Sequence, residues 1–308
     1  MAVNGTARMT TRTIGGVFPV LPTIFMDSGD IDEAGIVAVL EHVVAAGSDG
    51  VVAPGLASEY DMLSLDEREA MIALIGKTLD GRTDFVVGAS SDRVEDSIRI
   101  ARAGAAAGAR AAMVMTPRAI GPDVAALTRF FGDLAQSAGL PIMLQNAPAP
   151  MGLGLLAEQV GEIVSASGAI AWVKEETLPG GQRITALLAD HHPGLLGVFG
   201  GGGGRYIVDE LARGAIGTMP ASETPEVHVA LMAAHRAGDT GEVRRIYEAV
   251  LPLLMMQAVF RWRLTKEVLR RRGLFESTFT RAPGPVLDRH DKDELTVLLA
   301  RLDAAVKR

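Results

Sequence analysis

The sequence predicts a (β/α)8 barrel with a C-terminal helical extension. Three observations predict it: a repeating helix–glycine–strand unit, about eight short apolar runs without alternation, and helical periodicity alone after Pro220. In each repeat, an amphipathic stretch ends at a glycine and a short apolar run follows. Gly47 precedes Gly50-Val51-Val52-Ala53, and Gly108 precedes Ala111-Ala112-Met113-Val114-Met115. Gly139 precedes Pro141-Ile142-Met143-Leu144, and Gly214 precedes Ile216-Gly217-Thr218-Met219. Glycine suits the left-handed position just past a helix, so each marks a helix end feeding a strand. Further runs at 17–21, 85–89, 170–174 and 195–199 complete the set. Their unbroken apolar character fits parallel strands covered on both faces.

Helix starts are legible between the strands. Ser64-Leu65-Asp66-Glu67 has the capping-box form, and Asp32-Glu33 and Asp92 supply acidic first turns. An open doubly wound sheet is the alternative; the strand count and even spacing favour the barrel. After Pro220, helical patterns at 225–237, 240–268 and 293–306 exceed the one helix needed to finish a barrel. No Pro/Gly/Ser-rich linker precedes them, so they read as an extension packed on the barrel. The expected organisation is a loose tail at 1–12, the barrel at 13–224, and the last barrel helix plus extension at 225–308.

Composition narrows the function. The formal charge of −7, with no basic run beyond Arg270-Arg271-Arg272, argues against a nucleic-acid partner. With no cysteine, disulfides, thiolate metal sites and a cysteine nucleophile are excluded, which fits a reducing cytoplasm. There is no apolar run of membrane-spanning length and no secretory pattern, so a cytoplasmic location is expected. No P-loop or dinucleotide fingerprint occurs, and no cofactor is expected.

In such barrels the working residues sit at the C-terminal ends of strands. Lys174 closes the apolar run Ala169-Ile170-Ala171-Trp172-Val173. Poor solvation there favours the neutral amine, which can attack a carbonyl. A structural ion pair with Glu175 or Glu176 is the competing reading. The glycine run at 200–204 could cradle an anion, but close approach of a small substrate to the backbone is favoured over a phosphate site. His191-His192 lies in a turn on the non-catalytic end, with no carboxylate cluster at ligand spacing, so no metal is expected. Trp172 and Trp262 read as packing residues.

Taken together, the motifs Gly16-Val17-Phe18-Pro19-Val20-Leu21-Pro22-Thr23, Gly55 to Glu59 with Leu63-Ser64-Leu65-Asp66-Glu67-Arg68, Pro141 to Pro148, and Val173-Lys174-Glu175 carry a resemblance. The chain resembles the dihydrodipicolinate synthase/N-acetylneuraminate lyase family from about Gly15 onward. The resemblance implies a barrel with a helical extension, a homo-oligomer (tetramer or dimer), a small 2-oxo acid substrate, and Lys174 as the Schiff-base residue. Departures accompany it. The usual Gly-Thr-Thr-Gly-Glu loop is Gly55-Leu56-Ala57-Ser58-Glu59, and the tyrosine of Tyr-Asn-x-Pro is replaced by Gln145. A second tyrosine falls where Arg118-Ala119 stand, and the synthase carboxylate-binding arginine falls at Pro150. A tyrosine–threonine proton relay cannot be assembled, which disfavours the synthase reaction.

The glutamine-containing motif Gln145-Asn146-Ala147-Pro148, with Ser58-Glu59, is most similar to the L-2-keto-3-deoxyarabonate dehydratase branch. That resemblance implies dehydration of a 2-keto-3-deoxy sugar acid through an imine on Lys174. Gly55, Leu56, Ala57 and the Ser58 hydroxyl would hold the substrate carboxylate, with Asn146, Gly200 and Gly201 also in the binding site. Gln145 would orient an oxygen or a water. The acid/base group is open among Glu59, Glu175, Glu176 and a water, and Glu59 has an equal claim to shaping its loop. Retro-aldol cleavage releasing pyruvate is the alternative within the class. A 2-oxo-acid-binding regulator that has lost catalysis is the alternative outside it.

Overall fold

The computed structural model describes residues 13–306; the tail expected at 1–12 lies outside them. Eight parallel strands form the barrel: β1 (Gly16–Val17), β2 (Gly50–Ala53), β3 (Asp84–Gly88), β4 (Ala111–Met115), β5 (Ile142–Asn146), β6 (Ile170–Glu175), β7 (Gly197–Gly200) and β8 (Gly217–Thr218). Neighbours pair in the order β1-β8-β7-β6-β5-β4-β3-β2. Val20, just past β1, bridges in parallel to both Val52 and Ala221 and so closes the ring. Helices α1 (Glu33–Ala45), α2 (Leu65–Leu79), α3 (Val94–Ala106), α4 (Val124–Ala138), α5 (Ala157–Ser167), α6 (Gly180–Ala189) and α7 (Ile207–Ala212) alternate with the strands.

Local chemistry sets the element ends. Gly47, Gly108, Gly139 and Gly214 all have positive φ, between 69° and 94°, the conformation that lets the chain leave a helix and re-enter the sheet. The reciprocal capping box of Ser64 and Glu67 opens α2, and Asp32 caps α1 through the Gly35 N–H. Asp92 does not open a helix. Arg93 caps α3, Glu95 and Asp96 occupy its first turn, and Asp92 instead meets Arg118 of the following loop.

Side chains alternate between the inside of the ring and the helical layer. Phe18, Val86, Met113, Met143, Trp172 and Phe199 fill the interior, while residues such as Leu144 and Val173 face the helices. Every strand is thus apolar on both faces, which removes the alternation that an exposed sheet would show.

Past β8, α8 (Pro225–Arg236) covers the barrel and α9 (Thr240–Phe260), α10 (Trp262–Arg271) and α11 (Arg289–Val306) follow. The helix expected over 240–268 is broken at Arg261, where φ is 47° and ψ −120°. Neither glycine nor proline marks the break; Pro252 sits inside α9 without ending it. No helix among the described residues is long and apolar enough to cross a membrane.

Two substitutions test this architecture by urea denaturation. Trp172→Ala, which empties the barrel interior, is expected to cost about 3–5 kcal/mol. Ser64→Ala, which removes one half of the capping box, is expected to cost about 1 kcal/mol.

Candidate active site

Strand register builds the centre of the site. Gln145 on β5 lies opposite Lys174 on β6, and Lys174 lies opposite Phe199 on β7. Gln145 and Lys174 belong to the inward-facing series that includes Met143 and Trp172, so both project into the top of the barrel. Lys174 is only 3% exposed. Its Nζ lies 3.0 Å from Glu176 Oε1, and Gln145 Nε2 donates to Glu176 Oε2 at 2.5 Å. The backbone holds the same carboxylate in place, with Glu176 N–H donating to the Asn146 carbonyl at 3.1 Å. An amine, a carboxylate and an amide therefore form one connected cluster.

That cluster opens into a cavity of about 330 Å³. Lys174, Glu176, Leu56 and Ala57 line it together with Gly202 and Gly203. Part of the wall comes from the helical extension: Gln257, Arg261, Trp262 and Thr265. Trp262 Nε1 donates to the Leu56 carbonyl at 2.8 Å and so ties the extension to the loop after β2. Trp262 is thus more than a packing residue. The periodicity of α9 and α10 carries no sign of this, because residues facing a cavity and residues facing a core share one apolar or amphipathic pattern.

The loop Gly55 to Ser58 is shaped differently from expectation. Ser58 is fully buried; its hydroxyl donates to the Leu21 carbonyl at 2.5 Å and accepts from the Gly55 N–H at 2.8 Å. The Ser58 hydroxyl and the Gly55 N–H are therefore occupied in holding the turn. The loop's free donors are the N–H groups of Leu56 and Ala57, the first residues of a 3-10 turn spanning Leu56–Ser58, whose helical partners do not exist.

Glu59 is also placed otherwise. Its φ of 55° turns the carboxylate away from the cavity, towards Lys266 Nζ at 2.7 Å and the Ala282 N–H at 2.7 Å. Glu59 and Lys266 are both fully buried, and desolvation pulls Lys266 down to about 8 despite the opposing pull of Glu59. In this geometry the Glu59 carboxylate ties its loop to α10 and to the chain at Ala282.

Asn146 faces outward on β5. Its amide accepts from the Leu155 N–H at 2.9 Å and donates to the Leu155 carbonyl and to Glu175 Oε2, at 3.0 and 2.9 Å. Glu175 is fully buried in this network, which Thr177 completes; burial raises it, against the pull of these hydrogen bonds. Strand alternation, which sends alternate residues to opposite faces, separates Asn146 and Glu175 from Gln145 and Lys174.

Gly200 meets the Glu210 carboxylate, and Gly201 meets the side-chain methylene and backbone at Glu175 and Glu176. A Cβ on Gly200 would fall 2.1 Å from Glu210 Oε2, and one on Gly201 would fall 2.3 Å from Glu176 Cγ. Glu210, on α7, was not singled out from the sequence. Its Oε1 accepts from the Gly201 N–H at 3.3 Å and its Oε2 has no partner among the described residues. Burial is the main cause that pushes it up to about 8. His192, in the turn before β7, pairs its Nδ1 with Ser165 Oγ at 2.9 Å.

With the geometry in place, comparison with known proteins decides the family. The model described as the dihydrodipicolinate synthetase family matches residues 13–302. The chain belongs to that family. Among family members it is 29% identical to L-2-keto-3-deoxyarabonate dehydratase of Azospirillum brasilense, over 95% of this chain and 96% of that protein. It superposes with a TM-score of 0.85 on the crystal structure of YagE, a prophage protein of Escherichia coli K12 from the same family, solved in complex with pyruvate. Identity there is 26%, covering 95% of this chain and 99% of that one. Dihydrodipicolinate synthase from Rhodopseudomonas palustris gives a TM-score of 0.85 at 28% identity, covering 94% and 97% of the two chains. The family therefore spans synthase and dehydratase activities on one barrel.

Two expectations follow from the electrostatics. Lys266→Met leaves Glu59 buried without its cation and is expected to destabilise the fold by about 3–5 kcal/mol. Glu59→Gln combined with Lys266→Met should recover a substantial part of that loss, measured by denaturant unfolding. The second concerns Glu210, whose folded value near 8 exceeds the ordinary 4.5. The folded state keeps a proton that the unfolded chain releases, so this contribution is full below about pH 4.5 and is lost as pH rises through about 8. Glu210→Gln should flatten that decline in unfolding free energy measured across the same interval.

Proposed function

We propose that this protein dehydrates a 2-keto-3-deoxy sugar acid through a Schiff base on Lys174. The observation that carries the reading is the Lys174–Glu176–Gln145 cluster in the wall of the cavity. The Lys174 amine adds to the C2 carbonyl, and loss of that oxygen as water leaves an iminium. The iminium withdraws electrons from C3 and acidifies its hydrogens. Glu176 removes one of them, giving an enamine, and returns the proton as the C4 hydroxyl departs as water. Hydrolysis of the resulting conjugated imine frees the lysine. The net change is loss of one water.

Glu176 suits both proton transfers because one of its oxygens lies 3.0 Å from the nitrogen that carries the imine. Gln145, with no proton of its own to exchange, holds the other oxygen and fixes the carboxylate's direction. The Leu56 and Ala57 N–H groups supply donors for the substrate carboxylate. This arrangement replaces a tyrosine–threonine relay with a single carboxylate. The dehydratase of Azospirillum brasilense among the relatives supports the assignment.

Retro-aldol cleavage uses the same imine and is favoured by one observation, the pyruvate bound to YagE. There the C3–C4 bond breaks and pyruvate leaves. The synthase reaction has less support: Pro150 stands where the synthase arginine is expected, and its carbonyl accepts from Arg118 at 3.2 Å.

Borohydride trapping with pyruvate and with 2-keto-3-deoxy-L-arabonate, followed by peptide mass spectrometry, is expected to place a reduced adduct on Lys174. Lys174→Met should abolish it. Glu176→Gln should still form the adduct with pyruvate while losing about 10²–10⁴ in dehydration rate. Product analysis separates the two lyases: water loss without pyruvate supports the dehydratase, and pyruvate release supports the aldolase. No adduct on Lys174 with either compound would overturn the imine reading and leave a binding protein.

A further inference from the structure

Two guanidinium groups face the cavity, and neither has a role in the chemistry above. Arg205 follows the glycine run after β7, and Arg261 sits at the break between α9 and α10; both line the cavity wall. Among the described residues neither forms an ion pair. Arg205 Nη1 donates only to the neutral Gln257 Oε1, at 3.4 Å, and the Arg261 guanidinium lies 4.1 Å above the Trp262 ring. Arginine carries donors and no acceptor; with Arg205 half-buried and Arg261 exposed, both groups are free to meet an acceptor that enters the cavity.

Arg261 adopts φ 47° and ψ −120°, a conformation unfavourable for a side-chain-bearing residue, and its guanidinium stacks over the indole. That indole is in turn anchored to the Leu56 carbonyl at 2.8 Å, in the loop whose residues Leu56 and Ala57 line the cavity. The main chain at Arg205 is anchored through its carbonyl, which accepts from the Tyr247 hydroxyl at 2.7 Å. Arg261 is exposed overall; partial burial of its guanidinium lowers it, Asp61 opposes this and the nearby charge of Arg205 adds to it. Two like charges within each other's field, without a carboxylate at contact distance, are stabilised by a shared anion.

The remainder of the cavity explains which anion. Among the described residues Lys174 is the only other cation lining it, and it is matched by Glu176. The remaining wall is mostly apolar, with Val20, Met113, Pro148, Met151 and Met219. The hydroxyls of a neutral sugar chain need acceptors as well as donors, whereas a carboxylate or phosphate needs donors alone. We propose that Arg205 and Arg261 recognise a second anionic group at the distal end of the substrate, making the preferred substrate a 2-oxo acid that ends in a carboxylate or a phosphate. The inference rests on the imine reading of Lys174, which places the 2-oxo end at the barrel strands.

Chain-matched pairs of 2-oxo acids test it: 2-oxoadipate against 2-oxohexanoate, and 2-keto-3-deoxy-6-phosphogluconate against 2-keto-3-deoxygluconate. The readout is the concentration giving half-maximal borohydride adduct on Lys174. At least one pair is expected to favour the distally charged acid by about 10-fold, and the pair that does so identifies carboxylate or phosphate as the group. In Arg205→Gln or Arg261→Gln, and in wild type at 1 M salt, as an order-of-magnitude screening condition of roughly 3 Å Debye length, that ratio should fall towards unity. Adducts with no preference in either pair would overturn the inference while leaving the imine intact. Equal losses for both members of a pair in Arg261→Gln would assign the arginines to the C1 carboxylate, and overturn it too. Absence of adduct with all four acids would instead bring down the imine reading, and the inference with it.

Discussion

The parallel register of β5, β6 and β7 governs the site. A closed sheet sends alternate residues to opposite faces, and the register puts Gln145, Lys174 and Phe199 at one level. Once the interior below is filled by Trp172 and Met143, the next inward layer is the floor of a cavity. A lysine there is held by packed strands on either side, reaches solvent only through the cavity, and has one carboxylate beside it. That charge is Glu176, two residues on, where the chain has just left the strand and can fold its carboxylate back over the amine.

The same desolvation recurs around the cavity with different solutions. Glu59 and Lys266 neutralise each other beneath the loop after β2 and join the barrel to α10. Their attraction is set against the cost of taking both ions from water, so the pair fixes geometry more than it adds stability. Glu175 is held by Asn146 and Thr177 without a cation at contact distance. Glu210 has one weak backbone donor and retains its proton instead. Gly200 and Gly201 leave no room for a Cβ, the first against the Glu210 carboxylate and the second against Glu175 and Glu176, while Gly202 and Gly203 line the cavity.

The helical extension completes the site. Its break at Arg261 turns one long helix into two and brings Gln257, Arg261, Trp262 and Thr265 onto the open end of the barrel. The hydrogen bond from Trp262 to Leu56 links that wall to the loop with the unpaired N–H groups. Binding and chemistry thus draw on parts of the chain roughly 200 residues apart.

Much of this was legible in the sequence because it depends on local rules. Glycine at 47, 108, 139 and 214 marks helix ends whatever lies nearby, and the Ser64–Glu67 box caps its helix from within four residues. Unbroken apolar runs of strand length require cover on both faces, and Lys174 at the end of one such run is conspicuous. Partner choice was not legible. Whether Ser58 and Glu59 turn to a substrate or to Leu21 and Lys266, and whether Asn146 faces in or out, depends on the register and on residues distant in sequence. Sequence by itself determined the barrel, the strand-end lysine and the absence of thiol chemistry, since these follow from periodicity and composition. Tertiary structure decided which carboxylate meets that lysine and which arginines face the cavity, because hydrogen bonds and desolvation act through space and not along the chain.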